Sequence, residues 1–198
     1  FAIFVFIGIT LWDFFNKTLI QSVKVIKTNK AIVSKVYIPK FILLIVRMGV
    51  NGFKMFISLL IIVAMLAFWR VPITWNVLYF IPILLTLAIL VFGFGCFLLH
   101  YGVFVEDLSN VLNIALRFLF YLTGIFWNIM DKLPAPINSY IGKGNPIAFL
   151  LTSMRQCLIY GKTPHRKLLL LWFVVGLIIS ILGVRKIYKN ENSYVKVI

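Results

Sequence analysis

The chain has 198 residues, of which 62% are hydrophobic, 16% aromatic and only 13% charged. Soluble domains carry about 25% charged residues, so this composition excludes a water-soluble fold and assigns 1–198 to a single membrane domain. Twenty Lys and Arg against five Asp and Glu give a net charge of +15. These cations are spread between and within apolar segments, which points to anionic headgroups or an anionic cargo and away from nucleic acid.

At ~20 residues per crossing, the apolar runs predict spans at about 1–24, 41–69, 76–104, 108–130 and 168–184. The first is already under way at Phe1, with no basic leader and no small-residue cleavage site. It is therefore not a signal peptide, and we expect the true amino terminus to lie upstream. The connection that follows contains NKAIVSKVYIPKF, a short amphipathic piece at about 30–40, closed by Pro39 and too polar to span. Docking of a soluble partner and lying flat on the membrane both fit it.

The second span ends in MFISLLIIVAMLAFW, without a charge. The third lies in an uncharged stretch, 71–105, that would reach ~50 Å as one helix, so Pro72 and Pro82 are expected breaks near its start. Pro134, Pro136, Gly142 and Gly144 mark a turn-rich loop. The segment 145–160 is too short in its uncharged part to cross and is interrupted by Arg155, which predicts a re-entrant or interfacial helix. Asn145 suits its cap and Pro146 its first turn. The last span places Gly176, Ser180 and Gly183 on one face, a small-residue stripe suited to close helix packing, including between subunits.

The fold class is thus an all-α integral membrane protein with five crossings and a re-entrant segment. Lysines 17, 24, 27, 30, 35 and 40 place the first connection in the cytoplasm by the positive-inside rule, and the basic tail agrees. The loop 131–167 then lies outside despite its own cations.

Three spans carry polar rows at helical spacing: Asp13, Lys17, Gln21, Lys24, Thr28; Arg47, Asn51, Lys54, Ser58; and Asn110, Asn113, Arg117, Tyr121, Gly124, Asn128. Steps of three and four put each row on one helix face. A cation at mid-bilayer costs about 2.5–3.5 kcal/mol on insertion scales, so such residues turn to other helices or water. The rows predict a shared polar path, with Arg117 at its centre and Arg47 and Lys54 nearer the inner face. Snorkelling and headgroup contact are the competing explanations. Trp12, Phe15, Tyr121, Phe126 and Trp127 could pack on sugar rings, and belts at headgroup level explain them equally.

No GxxxxGK[ST] loop is present, so ATP is not bound here through a P-loop. No catalytic residues and no metal site are expected. Burial accounts for Cys96 and Cys157, and Cys96 with His100 makes a poor zinc site without nearby carboxylates. Glu106–Asp107 reads as a solvated interfacial pair. Asp13 is the only intramembrane acid and Lys17 can neutralise it, which disfavours a proton-driven carrier.

Four blocks in order, FVFIGITLWDFF, KTNKAIVSKVYIPKF, VEDLSNVLNIALRFLFYLTGIFW and GNPIAFLLTSMRQCLIYG, resemble the permease subunit of bacterial ABC exporters for teichoic acid and O-antigen polysaccharides. The resemblance covers nearly the whole chain. It implies six spans after an amphipathic interface helix, of which this sequence holds five. It also implies a permease dimer with two cytoplasmic ATPase subunits, which bind ATP and magnesium. The cargo would be an undecaprenyl-pyrophosphate-linked glycan crossing the bacterial cytoplasmic membrane.

On this resemblance Ser34, Lys35, Val36, Tyr37, Ile38 and Pro39 form the ATPase-coupling segment, and Asn145, Pro146 and Arg155 belong to re-entrant gate helices. Trp12, Phe15, Tyr121 and Trp127 line the channel with Arg117, Arg47 and Lys54. Relatives carry Arg–Asp where this chain has Glu106–Asp107, and Ser–Pro–Ile where it has Thr123–Gly124–Ile125. An integral-membrane transferase acting on lipid-linked sugars, and a drug or lipid ABC exporter permease, are the alternatives.

Overall fold

The computed structural model describes residues 1–35, 38–71, 74–127, 134 and 137–197. Val36, Tyr37, Pro72, Asn128 and Pro136 lie outside the described residues, as does the side chain of Ser34. Among the described residues every regular element is helical: α1 (Ala2–Thr28), α2 (Lys30–Lys35), α3 (Lys40–Phe68), a 3-10 turn (Trp75–Tyr79) leading into α4 (Phe80–Phe104), α5 (Leu108–Leu122), α6 (Ile137–Gly144), α7 (Pro146–Leu158) and α8 (Arg166–Val197). Hydrocarbon offers no partner for backbone groups, so long apolar runs close their hydrogen bonds internally as helices. Four stretches are long and apolar enough to cross a membrane, Ala2–Thr28, Lys40–Phe68, Trp75–Phe104 and Arg166–Glu191. The protein is an all-α, multi-pass membrane protein.

The stretch expected as the fourth span, 108–130, forms a shorter helix than predicted. Its helix is α5, 15 residues long, or about 22 Å at 1.5 Å per residue, against a hydrocarbon core of ~30 Å. Two local effects end it. The Thr123 hydroxyl donates to Leu119 O at 2.6 Å, and Gly124 turns to φ 67°, a left-handed conformation that only glycine takes without strain. The last helix, in contrast, runs past the expected 168–184 to Val197. Pro82 sits in the first turn of α4, where its missing N–H leaves no gap in the ladder.

Helix α4 is the centre of the bundle, packed along α8 and α1. The small-residue stripe is used within the chain. Gly176 lies against Ile89 and Leu90, Gly183 against Cys96, and Gly93 against Ser180, whose hydroxyl donates to Ile89 O at 3.0 Å. Close approach of backbones is what small residues give to helices in lipid, where apolar surface alone provides little drive.

The tightest crossing joins α1 to α4 at Gly102, where any Cβ would collide with the carbonyl of Val23. Gly102→Ala must push the two helices apart, at an overpacking cost of about 1–3 kcal/mol. The expected readout is a lowered thermal midpoint in detergent, with Gly49→Ala as the silent control, since nothing lies within 4 Å of a Cβ there.

Beyond the membrane-crossing part, α8 folds against the start of α3 and the end of α4. Lys40 and Glu191 are both buried, with Nζ and Oε1 3.6 Å apart, and Lys40 Nζ also donates to Ile38 O at 3.0 Å. The Tyr194 hydroxyl and His100 Nδ1 are hydrogen-bonded at 2.7 Å. Burial, then the nearby Glu191 charge, pushes the Tyr194 pKa up, so this hydroxyl stays neutral. Lys186 Nζ donates to the Tyr101 hydroxyl at 2.5 Å.

Candidate functional site: two grooves beside α1

The polar rows do not converge on one channel within the chain; they frame two grooves on either side of α1. Between α1 and α5, a space of about 500 Å³ is lined by Trp12, Asn16, Asn113, Arg117, Phe120 and Tyr121. Arg117 and Tyr121 are exposed at its mouth, and Trp12 is buried at its base. The Trp12 ring packs edge-on to Phe120 and tilted to Phe15, each centroid 5.5 Å away. Phe15 therefore supports the Trp12 wall from the core. Arg117 forms no ion pair among the described residues. Its guanidinium is held next to amide and aromatic groups, a combination able to bind a phosphate or carboxylate while rings face an apolar sugar surface.

Between α1 and α3, a second groove of about 220 Å³ is lined by Asp13, Lys17, Lys54 and Ser58, with Phe14 and Met55 among its apolar walls. Lys17 Nζ donates to Asp13 Oδ2 at 2.6 Å, one helical turn apart. Lys54 is exposed and has no ion pair among the described residues. Asn51, expected as part of the path, lines this groove and also ties the two helices: its Nδ2 donates to Thr18 Oγ1 at 3.1 Å and to Gln21 Oε1 at 3.0 Å. Arg47 is half-buried and lines neither groove; Trp127 is half-buried and likewise outside them.

In the segment expected as a gate, Asn145 caps α7 by accepting from Ile147 N at 3.0 Å and Ala148 N at 3.3 Å, with Pro146 in the first turn. Arg155 is 3% exposed. Its Nε donates to Phe4 O at 3.1 Å, Nη1 to Gly124 O at 3.0 Å and Nη2 to Ile125 O at 2.7 Å. The guanidinium also lies 3.4 Å above the Phe4 ring. Arg155 thus fastens α7 to the first turn of α1 and to the turn after α5. A lone arginine in an apolar segment was the only sequence signal for this clasp.

Of the residues expected to couple to an ATPase, Lys35 is exposed and Ile38 and Pro39 are half-buried. Glu106 and Asp107 are exposed at the α4–α5 corner. Among the described residues no three of His, Cys, Asp and Glu gather as a metal site.

No family model matches the chain. Two curated proteins of Klebsiella pneumoniae, both named O-antigen export system permease protein RfbA, align with all of it. One is 22% identical over 199 residues and the other 21% over 200, and the alignment covers 76% of each relative. Over its whole length the chain resembles the permease subunit of a polysaccharide exporter. The resemblance to a permease spans α1 to α8 and so includes both grooves, the Arg155 clasp and the residues 34–39.

Proposed function

We propose that this chain is the membrane subunit of an ATP-driven exporter that moves a lipid-pyrophosphate-linked polysaccharide, of teichoic acid or O-antigen type, across the bacterial cytoplasmic membrane. Two copies form the path, and two cytoplasmic ABC ATPase subunits bind ATP and magnesium and drive it. They dock at the segment 34–39. The chain performs no chemistry itself.

The observation that supports this most is the α1–α5 groove, in which an unpaired guanidinium sits beside amides and indole and phenol rings. That lining matches an anionic carbohydrate chain better than a hydrophobic drug, and the relatives named for O-antigen export agree with it. Arg117 holds the anionic part of the cargo, and Trp12 and Tyr121 face the sugar rings.

Arg117→Ala is expected to reduce polymer export in cells about tenfold or more, the loss of one charge-assisted contact of ~1.5–3 kcal/mol. Arg117→Lys should keep part of the rate. Co-purification of the ATPase should be unchanged in both, because Arg117 is exposed and far along the chain from 34–39. Unchanged export in Arg117→Ala would remove the groove from the path.

A further inference from the structure

Behind the α1–α3 groove lies a larger space that the proposed path does not use. It is an apolar crevice of about 790 Å³ between α3, α4 and α8, lined by Ile45, Gly49, Gly52, Leu84, Ile89 and Leu177 among others. Phe14 and Met55 line both this crevice and the polar groove, so the two spaces share a wall. Helix α3 presents a different face to each: Lys54 and Ser58 on one side, and Ile45, Gly49 and Gly52 on the next. The glycines open the crevice. A Cβ at Gly49 would have nothing within 4 Å, and one at Gly52 would meet only the edge of Phe14 at 3.8 Å.

The charge at the junction is one-sided. Asp13 is taken by Lys17 at 2.6 Å, which leaves Lys54 without an acidic partner among the described residues. Lys54 stands midway along α3, about 21 Å from either end at 1.5 Å per residue. An ammonium next to a hydrocarbon-lined crevice is complementary to a phosphate joined to a long apolar chain.

We propose that these adjoining spaces are a lipid-anchor site. The phosphate or pyrophosphate of a long-chain lipid pairs with Lys54 in the α1–α3 groove while its hydrocarbon tail lies in the crevice between α3, α4 and α8. This rests on the exporter reading above and adds to it a place for the lipid part of the cargo, in a groove separate from that of Arg117.

The test uses the assembled exporter in nanodiscs of phosphatidylcholine and a polyprenyl phosphate bearing a benzophenone at its tail end. After illumination, mass spectrometry maps the adducts. They are expected on 45–55 and 80–92, reduced several-fold by Gly49→Phe, which fills open space. Lys54→Gln should require about tenfold more probe for the same labelling, equivalent to ~1.4 kcal/mol. Adducts confined to α1 and α5, with transport intact, overturn the lipid-anchor site and leave the exporter reading standing. Equal labelling by a benzophenone phosphatidylglycerol marks a general lipid contact and also overturns it. If no adduct exceeds that of the lipid scaffold protein, both readings fall.

Discussion

Arg155→Met is expected to destabilise the bundle by about 3–5 kcal/mol. The side chain donates to three backbone carbonyls, and those of Gly124 and Ile125 lie in a turn with no helical ladder to fall back on. A buried acceptor left unsatisfied costs about 1–3 kcal/mol, and the contact with the Phe4 ring is lost as well. Arg155→Lys should recover little, because a single ammonium cannot reach three carbonyls set out for a planar fork. The thermal midpoint in detergent, followed by tryptophan fluorescence, checks both variants. A midpoint within error of the parent protein contradicts the clasp.

The second large effect concerns the buried Lys40–Glu191 pair. Lys40→Met removes the ammonium that faces the buried Glu191 carboxylate, and Glu191→Leu removes the carboxylate that faces Lys40, which keeps its bond to Ile38 O. Breaking a buried pair from one side costs about 3–5 kcal/mol, whereas replacing both partners by apolar groups of similar size is often neutral. The double variant is therefore expected to be more stable than either single one. Measured as a thermal double-mutant cycle, additive losses would show that the two side chains do not interact. In the proposed exporter, ATPase activity would add a functional readout, because Lys40 Nζ also holds the carbonyl of Ile38.

Much of the architecture was legible because hydrocarbon restricts the choice of structure so strongly. Apolar runs such as MFISLLIIVAMLAFW have to be helices, and their positions follow from length alone. The Asn145–Pro146 cap was legible from local chemistry, and so was the ion pair between Asp13 and Lys17. Helical spacing also brought Trp12, Arg117 and Tyr121 to a common groove, but not Arg47 or Trp127.

What escaped the sequence was set by partners far along the chain. Lys40 and Glu191 meet only because α8 continues beyond the membrane and folds against α3. Arg155 binds carbonyl oxygens, which every residue has, so no pattern announces them. The end of α5 was missed for a related reason. The apolar run continues to Met130, and hydropathy does not register a single left-handed glycine at 124. The small-residue stripe on α8 gave the right kind of contact without saying which helix would fill it; it was α4.

The α1–α5 groove is tethered at both ends, by Arg155 where α1 begins and by the Gly102–Val23 crossing close to where α5 starts. Helices pinned in this way make a trough of fixed width, open along the side on which Arg117 and Tyr121 are exposed. In the proposed dimer, the bore of the conduit is then set by how far two such rigid half-pipes stand apart. Polymers of different girth would be accommodated by sliding whole subunits, with little bending inside either one.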